Sequence, residues 1–400
     1  MNSLKTTSTK PDQIQLRAKA NLRPGHPWIY RSQIESVSDS LQAGSLAEVR
    51  LPGGRFFGIG YYNPKSEITI RLLTHSNEAI NKDFFNKRIK QAAALRKQVV
   101  QESNAYRMIS SEADGLPGLI VDRYDEILVV QFLTLGMENL RKAVLEALEE
   151  EAPCRGIFER SDSSSRKIEG LSDKVGWIRQ DCADETVIFE KNIRYRVKFG
   201  EGQKTGFYLD QRENRILLGQ WGVRGNVLDA FCYTGGFGLH LAASGCRVLA
   251  VDSQKDVIAQ GVENRDLNGI DASQLEFLEA NVFDVLKLFE KEKRKFDLVI
   301  LDPPSFVKRK DALEGALSGI KEILLRSMKL LNENGLLAVF SCSYHIDDNL
   351  LMQSALGAAW DVRKDLKVLK FFKQSGDHPI NPFIPETYYL KGFLFSVAST

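Results

Sequence analysis

Apolar and polar residues follow three rhythms along the chain. Over residues 13–75 the apolar positions come in short bursts, IQLR, LAEVR, FFGIGYY and ITIRLLT, separated by Pro24-Gly25, Pro52-Gly53-Gly54 and Asn63-Pro64. Short runs rich in β-branched and aromatic side chains, bounded by proline and glycine, predict strands joined by turns. Among them His26-Pro27-Trp28-Ile29-Tyr30 predicts a short helix or turn. The result is a small β-barrel-like module of about 60 residues, short for a domain but long enough to bury a core.

Residues 80–102 change to a helical period, with Phe84, Phe85, Ile89, Ala92, Ala93, Leu95 and Val99 on one stripe. Strand patterns follow at YRMISSE, LIVDRY and ILVVQFLT, then an amphipathic helix over Met137–Glu151 and a strand at GIFER. This second stretch predicts a central α+β domain over 76–184. VIFE and IRYRVKF predict a hairpin turning at Lys191-Asn192, where asparagine tolerates positive φ. From Arg212 the pattern becomes strand, loop, helix, repeated, with strands NVLDAF, RVLAVD, LEFLEA, FDLVILD and GLLAVFSC. That alternation predicts a Rossmann-like, doubly wound α/β fold over 185–400, with 185–211 as a leading hairpin.

Composition agrees with folded cores: 400 residues, 43% of them hydrophobic, suit two or three domains and exclude a disordered chain or a disulfide scaffold. A net charge of only +2 argues against a nucleic-acid partner until it is divided along the chain. Residues 1–75 carry ten Lys/Arg against five Asp/Glu, a net of +5, which leaves −3 on the rest. Such asymmetry points either to an anionic partner for the barrel or to a solvated basic face. The longest apolar runs are strand-length, so no membrane span is expected. The opening MNSLKTTSTKPDQ has no apolar stretch; it reads as a disordered polar tail and not as a signal peptide. Five cysteines, none spaced C-x-x-C, and five histidines argue against a disulfide framework or a metal site and suit a reducing cytoplasm.

The candidate chemistry gathers where the α/β strands end. The first runs into Asp229-Ala-Phe-Cys-Tyr-Thr-Gly235-Gly236-Phe-Gly238. Glycines let a backbone turn sharply and approach a ligand. A nicotinamide site would place a third glycine at Leu241, and the Asp229 carboxylate is poor company for a pyrophosphate. A cofactor bearing a sulfonium or ammonium suits this turn better. Asp252 ends the second strand, where a carboxylate accepts from both ribose hydroxyls or caps the helix that follows. Asn281 and the Val282 amide after the third strand can meet an adenine. Asp302-Pro303-Pro304-Ser305-Phe306 follows the fourth strand. Its prolines stiffen a loop whose carbonyls face the cleft, and Phe306 offers a flat surface to a base. Cys342, after the fifth strand, is either a small buried hydrophobe or a nucleophile.

Together DAFCYTGGFG, VLAVD, ANVFD, FDLVILDPPSF and GLLAVFSCS over residues 224–345 resemble a class I S-adenosylmethionine-dependent methyltransferase. With HPWIYRSQI, ADGLPGLIVDRY, GQKTGFYLDQREN and DHPINPFIPETYYLKGFLF, nearly the whole chain resembles the ribosomal RNA cytosine-C5 methyltransferases that carry an N-terminal PUA domain. The resemblance implies a PUA RNA-binding domain over 1–75 and S-adenosyl-L-methionine as cofactor. It implies cofactor contacts from Thr205, Phe207, Arg212, Phe231, Tyr233, Gly235, Asp252, Asn281 and Asp302, with the Arg212 fork on the methionine carboxylate or paired with Asp210 or Glu213. It also implies large-subunit (23S) ribosomal RNA as partner and a homodimer as a state its members adopt.

C5 of cytosine is a weak nucleophile, and a thiolate adding to C6 activates it. Cys342 is the residue for that step, with Asp302 on the exocyclic amine or N3. The DPPSF loop has no cysteine of its own, so Cys342 acts alone or the product is not 5-methylcytosine. An extruded base would meet Pro303, Phe306 and Tyr344. The competing expectations are methylation of another rRNA atom, such as a guanine nitrogen, and a non-catalytic assembly factor.

Overall fold

The computed structural model describes residues 12–200, 206–305 and 313–399. The polar opening segment before residue 12, Thr205 and Phe306 lie outside the described residues. Two compact units emerge: one takes residues through Gln101, Tyr106–Ala183 and Pro379–Thr387; the other takes Glu102–Ala105, Asp184–His378 and the chain from Tyr388 onward.

In the first unit β1 (Gln13–Leu16), β2 (Trp28–Tyr30), β3 (Ile34–Val37), β4 (Leu46–Arg50), β5 (Phe56–Tyr62) and β6 (Ile68–Thr74) form one sheet, ordered β2-β6-β5-β4-β1-β3. It closes over Ile14, Leu16, Ile29, Val49 and Ile70. The expected helix or turn at His26–Tyr30 is instead strand β2, with Trp28 opposite Arg71. Pro27 biases its predecessor away from helix, the aromatic and β-branched WIY favours a strand, and β6 supplies the ladder. The helical turn comes one step later, at Arg31–Gln33, with the Gln33 side chain accepting from the Tyr30 amide at 2.7 Å.

Helix α1 (Lys82–Val99) starts at Asn81, whose side chain accepts from Phe84 N at 3.2 Å. A second sheet follows, with β7 (Ala105–Ser110), β8 (Leu119–Tyr124), β9 (Ile127–Phe132), β10 (Gly156–Ser161) and β11 (Lys174–Gln180) in the order β11-β10-β9-β8-β7. The single helix expected over Met137–Glu151 is two, α2 (Leu135–Asn139) and α3 (Arg141–Glu151), which break at Leu140. A short α4 (Ser164–Glu169) precedes β11.

The second unit opens on the hairpin β12 (Glu185–Glu190) and β13 (Ile193–Lys198). Its left-handed residue is Lys191, at φ 51°, and not Asn192. Next come α5 (Arg212–Gly219), β14 (Asn226–Ala230), α6 (Gly236–Ala243), β15 (Arg247–Asp252), α7 (Lys255–Leu267), β16 (Leu275–Glu279), α8 (Val282–Lys291), β17 (Phe296–Leu301), α9 (Leu313–Leu330), β18 (Leu331–Ser341), α10 (Asp348–Asp361), β19 (Lys364–Lys373) and β20 (Lys391–Ser399). The sheet order is β16-β15-β14-β17-β18-β20-β19. The first five strands in that order are parallel and match the five read from the sequence; β20 runs antiparallel to both neighbours. Strand β14 lies between β15 and β17, so the winding reverses there, and a ligand crevice belongs outside the carboxyl ends of those strands. Among the described residues no helix is long and apolar enough to cross a membrane.

One close approach inside the first unit is testable. A Cβ on Gly136 would fall 2.0 Å from the Tyr61 ring. That ring is pinned by its hydroxyl to Pro117 O at 2.8 Å and Thr134 Oγ1 at 2.9 Å. Gly136→Ala is expected to destabilise this unit by about 1–3 kcal/mol, the usual overpacking cost. Urea unfolding followed by circular dichroism measures it, and a variant as stable as wild type would refute the contact.

Candidate active site

The turn after β14 holds two left-handed non-glycine residues close together. Phe231 and Tyr233 hold φ of 64° and 50°, and Gly235 holds 81°. Left-handed backbone at two non-glycine residues costs energy and concentrates at functional turns. Two carboxylates hold the turn in place. Asp229 Oδ2 accepts from Gly238 N at 2.9 Å; Asp252 accepts from Tyr233 N and Gln254 N, each at 3.1 Å. The glycines are sterically required as well: a Cβ on Gly235 would lie 2.7 Å from the Phe277 ring, and one on Gly236 would lie 2.8 Å from Arg215 Cδ.

Asp229 is 1% exposed, and its second oxygen, Oδ1, has no hydrogen-bond partner. Burial pushes its carboxyl up to about 7; the charges of Asp302 and Asp252 add to this, while the Gly238 amide and Arg215 oppose it. An incoming positive charge is therefore favoured beside this turn.

The cleft above the turn is lined by Phe207, Tyr208, Gln211, Arg215, Phe231, Cys232, Tyr233, Gly236, Asp252, Asp302, Pro303, Pro304 and Cys342, among others. Asp302 is oriented by Gln211, which donates to it at 3.0 Å and is itself held by Asn214 at 2.6 Å. Tyr208 packs edge-on against Tyr233 at 5.0 Å; burial, with Tyr233, Asp302 and Cys342 nearby, keeps its hydroxyl protonated well above the usual range. Cys342 follows β18, opposite the start of β20, where buried Lys391 donates to Ser343 O at 3.3 Å.

Of the residues singled out from the sequence, the cleft therefore brings together Phe207, Phe231, Tyr233, Asp252, Asp302, Pro303 and Cys342. Asp229 and Gly235 support its floor from beneath. Asn281 caps α8, accepting from Phe283 N at 2.9 Å, and Val282 packs into the core; neither lines the cleft. Tyr344 is 55% exposed, edge-on to His345, and also outside the lining. Arg212 requires a correction. Its guanidinium is 1% exposed and does not face the cleft: it forks onto Asp377 at 2.8 and 3.1 Å and donates to Ala105 O at 3.2 Å. Asp377 is fully buried, and this distant carboxylate is the closer partner; the pairing anticipated with Glu213 is also made, at 3.6 Å. Sequence reasoning passed over Tyr208, Gln211 and Arg215, all within FYLDQRENR, because spacing alone does not say which faces of a short helix point inward.

A buried carboxylate with a vacant oxygen, a glycine turn without room for side chains and a second carboxylate at the end of β15 fit a nucleoside cofactor with a cationic amino-acid end. That is the constitution of S-adenosylmethionine. The model of the S-adenosylmethionine-dependent methyltransferase family matches residues 163–395, more than half the chain, and that of the PUA-like domain matches residues 13–75. The chain belongs to the S-adenosylmethionine-dependent methyltransferases.

Within that class, curated relatives that match over nearly the whole chain are named ribosomal RNA large subunit methyltransferase I. The ribosomal RNA large subunit methyltransferase I of Shewanella denitrificans is 38% identical over 393 residues, covering 95% of this chain and 99% of that protein. The protein of the same name from Vibrio cholerae is 38% identical over 383 residues, covering 94% and 96%. The chain is a member of this ribosomal RNA large subunit methyltransferase I family. A candidate methyltransferase solved in complex with SAH superposes with a TM-score of 0.82, at 20% identity over 96% of this chain and 99% of that one. A candidate S-adenosylmethionine-dependent methyltransferase from Streptococcus mutans gives 0.80, with the same identity and coverage. These two share the fold.

The state of Asp229 yields a pH test. Below about 7 its carboxyl takes up a proton, whereas a cation bound nearby requires it ionised. Affinity for S-adenosylmethionine is expected to rise about tenfold from pH 5.5 to 7, a window in which the ligand's α-amino group stays protonated. Calorimetry across this range reads it; a flat profile, or one that persists in Asp229→Asn, would refute the assignment.

Proposed function

We propose that this protein methylates C5 of a cytosine in large-subunit (23S) ribosomal RNA through a covalent bond from Cys342 to C6. The observation that carries the reading is the meeting of Cys342 with Asp302 and Asp252 in one cleft, at the ends of β18, β17 and β15. The relatives' names support the RNA class, and the family resemblance supports the cytosine.

When bound, S-adenosylmethionine supplies the electrophilic methyl carbon. Asp252 holds the ribose end; Phe231, Tyr233 and Gly235 shape the turn beside it; Phe207 closes one wall. The Cys342 thiolate adds to C6, and N3 takes a proton from Asp302, held in place by Gln211. C5, now electron-rich, gains the methyl group and loses its proton to solvent. The S–C6 bond then breaks, N3 returns its proton to Asp302, and the thiolate is regenerated. Pro303 borders the entering base. The barrel, on the +5 segment 1–75, contacts phosphates. Cytoplasmic residence and a homodimer complete the reading, on the resemblance to the family.

Cys342→Ala is expected to lower 5-methylcytosine formation by about 10³-fold or more, the scale of losing a covalent nucleophile, while leaving cofactor binding within about threefold. Nucleoside mass spectrometry of ribosomal RNA, with and without the protein, reads the product. Undiminished 5-methylcytosine in the variant sinks the thiolate route; a different missing nucleoside, such as a methylguanine, sinks the cytosine.

A further inference from the structure

Three residues after the arginine that pairs with Asp377, a second arginine stands in a different setting. Arg215 is 3% exposed, yet it lines the cleft. Nε and Nη2 donate to the two oxygens of Glu190 at 2.9 and 2.5 Å. Glu190 is fully buried, and Arg215 and His240 together outweigh that burial and hold its carboxyl down at about 2. The guanidinium carbon lies 4.6 Å from the centre of the Phe207 ring, so the plane of the fork is fixed from a second direction. Among the described residues its third nitrogen, Nη1, donates to nothing.

The place this nitrogen occupies is set by the glycine turn. A Cβ on Gly236 would lie 2.8 Å from Arg215 Cδ and 3.6 Å from Nη1. The arginine therefore lies flush against the first residue of α6, whose amino end also favours negative charge. Asp229, with its unpartnered oxygen, holds up the same turn. An oriented guanidinium edge against Gly236 and a buried carboxylate on Gly238 complement a zwitterionic α-amino acid, the end that distinguishes S-adenosylmethionine from adenosine.

We propose that Arg215 is the receptor for the cofactor's α-carboxylate, through Nη1, with Glu190 and Phe207 positioning the fork and Arg212 taking no part. The inference rests on the cofactor class alone and is independent of the base that is methylated.

The test compares two ligands, S-adenosylhomocysteine and its decarboxylated analogue, by calorimetry on the full chain. Wild type is expected to bind the analogue about 10- to 100-fold more weakly, the worth of one charge-assisted hydrogen bond. Arg215→Met made together with Glu190→Gln leaves no buried carboxylate unpaired; in it the ratio should collapse to within about threefold, through loss of affinity for S-adenosylhomocysteine only. If circular dichroism shows that the double variant does not fold, Arg215→Lys takes its place, which keeps the charge but not the fork and should shrink the ratio. A wild-type ratio near one, or an undiminished ratio in a folded variant, overturns the proposal.

Discussion

The site depends on one hydrogen bond made in a hard place: a carboxylate inside the sheet, Asp229, accepts from the amide of Gly238 across the turn that ends β14. It seats the first turn of α6 on the sheet, while Asp252 and Val251 O hold the left-handed run at Phe231, Tyr233 and Gly235 that leads into it. Burying a carboxylate is costly, and here one of its oxygens remains unpartnered. A fold under selection for stability alone has no reason to keep such a group. Such a group suits a fold that receives a positive charge at that point, where a ligand would supply the missing partner. The left-handed backbone of the turn and the raised Asp229 carboxyl occur together in this one segment.

Much of this was legible in the sequence, for a physical reason. β14, β15 and β17 are buried on both faces, so NVLDA, RVLAVD and FDLVIL read as nearly unbroken apolar runs. Their ends then locate Asp229, Asp252 and Asp302 at the crevice. The edge strand β19 was not legible: KDLKVLKFFK interleaves lysine and apolar residues, is mostly exposed, and owes its extended state to β20. The half-exposed edge strand β11 escaped for the same reason. At Trp28–Tyr30 a neighbouring strand, invisible from local pattern, decided between turn and strand.

The two arginines of α5 show where reading a motif stops. Arg212 and Arg215 sit three residues apart, both inside, both paired with a buried carboxylate. Local sequence offers each the same choices. What separates them is 165 residues away for Arg212, at Asp377, and 25 away for Arg215, at Glu190. Asp377 takes a fork of Arg212 while Ala105 O takes another hydrogen bond from it, so that guanidinium serves to tie segments distant in sequence. A buried ion pair of this kind adds little net stability but is expensive to break from one side, so both arginines look indispensable on stability grounds. What separates a tie from the proposed receptor is the cleft, which Arg215 lines and Arg212 does not.

Charge also explains how a chain with a net of +2 can handle a polyanion. The cleft is lined or underlain by Asp229, Asp252 and Asp302, with Arg215 as the cation fixed at its wall. That field suits a sulfonium nucleoside, with one cationic edge for its carboxylate, and it repels phosphate. A nucleic-acid strand gains nothing by running its backbone through such a cleft; a single uncharged base does, once turned out of its stack at a cost of a few kcal/mol. The cationic excess needed to hold phosphates then has to lie elsewhere in the chain, and the segment with the surplus is 1–75. An acidic cleft and a basic barrel in one polypeptide are thus two parts of one requirement, since a site tuned for a cationic cofactor cannot also be tuned for phosphate.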